Sequence, residues 1–165
     1  EELELGYRVP RPILDVANRL LPHTKVATAA SRSVRAEGDA PSVRSVGSQD
    51  LAAAVADEVR VVRHRHRNTG VVAPTELHVA IGEALARVGF NACHRVHDLG
   101  PHDVPIFHPE AVKGLEFDGV IVVNPHQIFD GSALGARLLY VALTRAVQVL
   151  HIVTDAPLPP AIASV

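Results

Sequence analysis

Val112-Lys113-Gly114-Leu115-Glu116-Phe117-Asp118 is followed, some twenty residues on, by Leu139-Tyr140-Val141-Ala142-Leu143-Thr144-Arg145-Ala146. Each run places one charged residue at the edge of an apolar element, where a polar ligand can reach it. Between them lies an apolar run at 120–123, the pattern of a strand buried on both faces. Leu138, Leu139, Val141, Ala142 and Leu143 make the helix ahead of Arg145 almost wholly apolar, so it is predicted to be buried. Arg145 then offers five N–H donors in a rigid fork. That fork suits a phosphate, or a salt bridge to a nearby carboxylate. Lys113-Gly114 reads as a turn in which glycine gives backbone freedom. Glu116 can accept from a sugar hydroxyl, and can equally pair with Arg145 or Lys113.

Outward from these runs the chain alternates strand and helix. A short strand is expected at 3–7. A helix opened by Pro10 and Pro12 carries Ile13, Leu14, Val16, Ala17, Leu20 and Leu21, and Pro22 stops it. Residues 24–41 are rich in Ala, Ser, Arg and Gly with no sustained period, and read as the segment most prone to mobility. Strands follow at 42–46, 70–73, 90–96 and 104–107. Helices are expected from Ser48 or Gln49 to Arg63, with Leu51, Val55, Val59 and Val62 on one face, and after Pro74-Thr75, with Leu77, Ile81, Leu85 and Val88. Gly89 ends the second. Ser132 caps a helix over 133–145, a last strand covers 147–153, and a Pro-rich tail closes the chain. This alternation predicts one α/β domain with a parallel sheet and helices on both faces.

The 165 residues fit one domain. A hydrophobic fraction of 47% suffices for a core. Aromatics are only 4%, so Val, Leu, Ile and Ala must fill it. The net charge of -2 excludes a whole-domain basic field, so any nucleic-acid contact must be local. Cys93 is the one cysteine, which rules out an intrachain disulfide. No apolar run approaches the roughly 20 residues that span a bilayer, and the chain reads as cytoplasmic. The absence of methionine reads as a fragment of a longer protein. The run His64-Arg65-His66-Arg67 falls at a predicted helix end, where cations suit the dipole. A nucleic-acid or partner patch is the other reading. Cys93, His94, His97, His102 and His108 fit no common zinc spacing, so no metal site is expected.

A third piece, Gly6-Tyr7-Arg8 followed by Pro12-Ile13-Leu14 and Ala17-Asn18, completes a set. The three pieces resemble, in order, motifs IV, V and VI of the UvrD/Rep-type superfamily 1 helicases. The layout resembles their second motor domain, the RecA-like 2A domain, over about residues 3–154. The resemblance implies a three-layer fold of the P-loop NTPase type and membership of an ATP-dependent DNA helicase or translocase. It implies that Tyr7 stacks on adenine and that Glu116 accepts from the ribose. Arg8 and Arg145 would reach the γ-phosphate as arginine fingers. ATP and its Mg2+ would be held by the first motor domain of the same chain, and single-stranded DNA is the implied partner.

Three departures qualify this. No Gly-x-x-x-x-Gly-Lys-Ser/Thr run is present, so the piece alone is expected to be inactive. Pro109-Glu110-Ala111-Val112 stands where the family often places a strand-contacting pair, and Glu110 would repel a phosphate backbone. The roughly 100 residues between motifs IV and V leave no room for a 2B insertion. The last two are shared with helicase-like ATPases that bind RNA polymerase, which is the alternative. A non-catalytic RecA-like interaction module is the third reading.

Overall fold

The computed structural model describes residues 5–6, 8–26, 30 and 32–164. In chain order the elements are β1 (Leu5–Gly6), α1 (Arg11–Asn18), β2 (Arg32–Ser33), β3 (Ser42–Ser45), α2 (Leu51–Arg63), β4 (Thr69–Val72), α3 (His78–Arg87), β5 (Asn91–Cys93), β6 (Asp103–Phe107), β7 (Phe117–Val123), α4 (Pro125–Ile128), α5 (Ala133–Leu143) and β8 (Ala146–Thr154). Six strands form one sheet in the order β3-β8-β7-β4-β6-β5, and every pairing is parallel. β1 and β2 form a separate parallel pair.

The side chains of β7 explain the layers. Successive strand residues point to opposite faces. Val120 and Val122 join a core with Ile13, Val16, Leu20, Leu139, Leu143, Leu150 and Ile152. Ile121 and Val123 join a second core with Leu51, Val55, Val59, Val62, Ile81 and Leu85. So α1, α4 and α5 cover one face and α2 and α3 the other. Each fully buried Val, Leu or Ile contributes about 1.5–3 kcal/mol over an exposed one. The expected three-layer parallel architecture is the observed one. Gly119 lets α2 settle on the sheet: a Cβ there would lie 2.3 Å from a Val62 methyl carbon.

Element boundaries moved where side chains closed a turn. The helix capped by Ser132 ends at Leu143, not Arg145. Thr144 Oγ1 donates to the carbonyls of Tyr140 (2.9 Å) and Val141 (3.1 Å) and seals the last turn. Arg145 then turns into the sheet, where its carbonyl accepts from Phe117 N at 3.0 Å. The strand expected at 90–96 shrinks to β5, and α4 was not foreseen. The strand expected at 3–7 is seen as β1, with Tyr7 outside the described residues. Among its described residues the 24–41 segment contains β2 and Arg35, which is anchored by hydrogen bonds to Arg8 O, Val147 O and Gln148 Oε1. No helix among the described residues is long and apolar enough to cross a membrane.

Candidate functional site

An all-parallel sheet has two unlike edges. All strands begin at one, the amino edge, and end at the other, the carboxyl edge. Arg145 immediately precedes β8, Glu116 precedes β7 and Asn68 precedes β4. Those strands are neighbours in the order β8-β7-β4. Three residues far apart in sequence therefore meet at the amino edge.

Arg145 brackets Glu116. Its Nη1 donates to Leu115 O at 3.1 Å, and its own carbonyl accepts from Phe117 N. Its Nε donates to Val141 O (3.1 Å) and its Nη2 to Thr144 Oγ1 (3.4 Å). Among the described residues three of the five guanidinium N–H groups are engaged, which leaves one on each terminal nitrogen without a partner there. Burial pushes the Arg145 pKa down, partly offset by the Glu116 charge. Arginine nevertheless stays charged at any physiological pH. Asn68 Nδ2 donates to Glu116 O at 3.3 Å, and Asn68 O accepts from Gly119 N at 3.2 Å. Gly114 adopts φ +82°, the turn conformation expected of the Lys113-Gly114 pair.

The Glu116 side chain pairs with Arg8, rather than with Arg145 or Lys113. Arg8 Nη1 donates to both carboxylate oxygens, at 2.8 and 2.7 Å. The hydrogen bond, then the charge, raise the Arg8 pKa. The pair is open to water, at 72% and 42% side-chain exposure. Arg8 is moored by Arg35, whose Nη1 donates to Arg8 O (3.1 Å) and Val147 O (2.7 Å) and whose Nη2 donates to Gln148 Oε1 (3.1 Å). Ser33 Oγ donates to Val9 O nearby, at 2.5 Å. Tyr7 lies outside the described residues. The edge thus offers two cationic forks and one carboxylate, a donor and acceptor set matched to phosphate and hydroxyl groups.

Asn68 and Arg35 were missed in the sequence. Neither belongs to a periodic pattern, and the one available signal was the position of Asn68 just ahead of a buried strand.

The carboxyl edge differs. Asn124 is fully buried in a left-handed conformation (φ 49°, ψ 61°). Its Oδ1 accepts from Asp155 N at 3.0 Å and its Nδ2 donates to Gln127 Oε1 at 3.3 Å. Glu110 and Glu76 line an open cleft here with His108 and Gln127. Glu110, on the 3-10 turn Pro109–Val112, is thus near the opposite edge from Glu116. Among the described residues no three His, Cys, Asp or Glu side chains converge as a metal site. His94 Nδ1 instead bonds Ile106 O at 2.8 Å, and Cys93 Sγ donates to Arg95 O at 3.8 Å.

Residues 110–153 match the UvrD-like helicase C-terminal domain family. That stretch includes Glu116 and Arg145. The fold is similar to the crystal structure of the C-terminal domain of a possible DNA helicase from Lactobacillus plantarum WCFS1. The TM-score is 0.72 at 24% identity, over 96% of this chain and 92% of that one. No curated protein matches the chain in sequence. Residues 110–153 thus match the UvrD-like helicase C-terminal domain family, within an α/β fold similar to that of the C-terminal domain of a possible DNA helicase.

Proposed function

We propose that this chain is the C-terminal motor domain of an ATP-dependent DNA helicase or translocase. In this reading ATP is the substrate, held with Mg2+ on the P-loop of a first motor domain in the same protein. The chain's amino edge faces that nucleotide. The observation that carries the reading is the convergence of Arg8, Glu116 and Arg145, from three separate segments, on one solvent-facing edge.

The residues divide the work by their surroundings. Arg145 is held by backbone carbonyls, so its two free N–H groups are preorganised for phosphate oxygens. The Arg8 side chain is exposed, and among the described residues its guanidinium is held by Glu116 while Arg35 holds its backbone carbonyl. An exposed ion pair is worth about 0–1 kcal/mol, so it can part as substrate arrives. Glu116 is then free to accept from the ribose and Arg8 to meet phosphate. Tyr7, next in the chain, supplies the adenine stack. Hydrolysis of ATP's terminal phosphoanhydride releases the charge that drew the two domains together, and a bound DNA strand is stepped along.

The test is ATP turnover by a protein containing both motor domains, with and without single-stranded DNA. DNA stimulation supports a strand translocase. Turnover indifferent to DNA would sink that part of the reading. The comparisons lend no support to the polymerase-associated branch, although its test is the same assay.

A further inference from the structure

α2 ends at the amino edge in a dense ridge of Arg60, Arg63, His64, Arg65, His66 and Arg67. Two clefts flank it. One, of about 500 Å³, is lined by Arg60, His64, Arg65, His66 and His151, with Asp39 as its one carboxylate. The other, of about 370 Å³, is lined by Arg60, Arg63, His64, Arg67, His102 and the Phe90 ring. Arg60 and His64 belong to both, so they form the shared wall.

Not all these arginines are available. Arg60 faces Asp57 at 3.5 Å. Arg63 is structural: its fork donates to Pro101 O (2.5 Å) and Asp103 O (2.9 Å), and its guanidinium lies 5.6 Å from the centre of the Phe90 ring. Burial and then the neighbouring Arg67 charge push its pKa down. Arg65 and Arg67 are different. Both are exposed, and among the described residues neither guanidinium has a carboxylate within 4 Å. Two like charges are left unneutralised, in a chain whose net charge is -2. The helix dipole offsets them only in part.

We propose that this ridge binds the phosphodiester backbone of a nucleic acid, independently of sequence and of ATP, through Arg65 and Arg67 with His64 and His66. A repeating anion suits two adjacent clefts that share a wall and carry one carboxylate-free arginine each, Arg65 in the first and Arg67 in the second, whereas a single carboxylate would fill one. The site goes beyond the motor reading, since it uses none of Arg8, Glu116 or Arg145.

The experiment is binding of a fluorescent 20-nucleotide oligodeoxythymidylate to this chain, without nucleotide, across 50–200 mM KCl. A single strand loses about 0.7 in the slope of log K against log salt for each phosphate contact removed. Arg65→Ala with Arg67→Ala should therefore flatten the slope by about 1.4 and weaken binding at 50 mM on the order of tenfold. Replacement of both by lysine should retain most binding, because charge is kept. Absence of binding by the native chain overturns the proposal. So does an unchanged slope in the alanine variant, or displacement of the oligonucleotide at equal charge by polyglutamate. None of these outcomes bears on ATP turnover, so the motor reading stands or falls separately.

Discussion

The two edges of the sheet are built on opposite principles. At the carboxyl edge, polar side chains mainly satisfy their own backbone: Asn124 takes Asp155 N and Ser132 Oγ accepts from Gly135 N at 2.9 Å. At the amino edge, arginines cross between chain segments and leave donors facing water. Ligands of open α/β sheets usually sit outside the carboxyl ends, where helix N-termini present N–H groups. On the proposed function, the difference teaches why this chain would depart from that habit. A domain that cradles phosphate needs helix N-termini. A domain that only lends cations to phosphate held elsewhere does not. The amino edge is where α2 and α5 end, and helix C-termini favour cations.

The sharpest way to break the comparison is to remove a cation from one edge and a carboxylate from the other. In a protein with both motor domains, Arg8→Ala should lower ATP turnover on the order of 10³-fold, the low end for an arginine finger. Its melting temperature should not move, because the Arg8–Glu116 pair is exposed. Glu110→Gln at the carboxyl edge should leave basal turnover unchanged. Equal losses from both variants would abolish the distinction between the edges.

Arg145→Ala should cut turnover comparably and also destabilise the fold. It removes donors from the Leu115 and Val141 carbonyls of a half-buried site. Two such bonds are worth about 2–3 kcal/mol, or roughly 4–10 °C in melting temperature for a domain of this size. Thermal melts of the two arginine variants separate the two proposed fingers: Arg145 would act from a rigid mount, Arg8 from a breakable pair. An Arg145→Ala protein that melts like the native one would show the mount to be unimportant.

The layers were legible in the sequence because burial is periodic. The face of Leu51, Val55, Val59 and Val62 is buried as read, and the run at 120–123 lies at the heart of the sheet. Glu116 and Arg145 were legible as the charged ends of apolar runs, and their adjacency follows from the β7–β8 pairing. The Arg8–Glu116 pair was not, because the partner lies 108 positions away and only the packing of α1 brings it near. Arg35 was illegible for a related reason. A segment held by isolated contacts of Ser33 and Arg35 has no repeating pattern, so it reads as irregular although Val9 O, Val147 O and Arg8 O fix it.

Asn68 tests that lesson on a smaller scale. Asn68→Ala removes the donor to Glu116 O, worth about 1 kcal/mol. Turnover at saturating ATP should be nearly unchanged, while KM for ATP rises about five-fold as Glu116 loosens. A fall in kcat with KM unchanged would make Asn68 part of the chemistry rather than of its positioning.

The smallest effect distinguishes the edges by salt. Each holds one carboxyl below its ordinary value. Asp103, at the start of β6, accepts first from Gly100 N–H and then from Arg95. Asp130, ahead of α5, accepts from the side chain and backbone of Ser132. A depressed folded pKa stabilises above the unfolded value, near pH 3.9, and that contribution vanishes as pH falls through the folded value. Asp103→Asn and Asp130→Asn should therefore each be less stable than the native chain at pH 6 in urea, with the gap closing toward pH 2. Salt should act on one alone. The Arg95 contact is an ion pair at 2.7 Å with its arginine largely exposed, so 0.5 M NaCl screens it. The Ser132 contacts carry no formal charge on the donor and should resist. A narrowed gap for Asp103→Asn beside a fixed one for Asp130→Asn would show that an ion pair adds to the backbone bond at the amino edge, whereas the carboxyl edge relies on uncharged donors. Equal narrowing would mean that both edges rest on the same electrostatics.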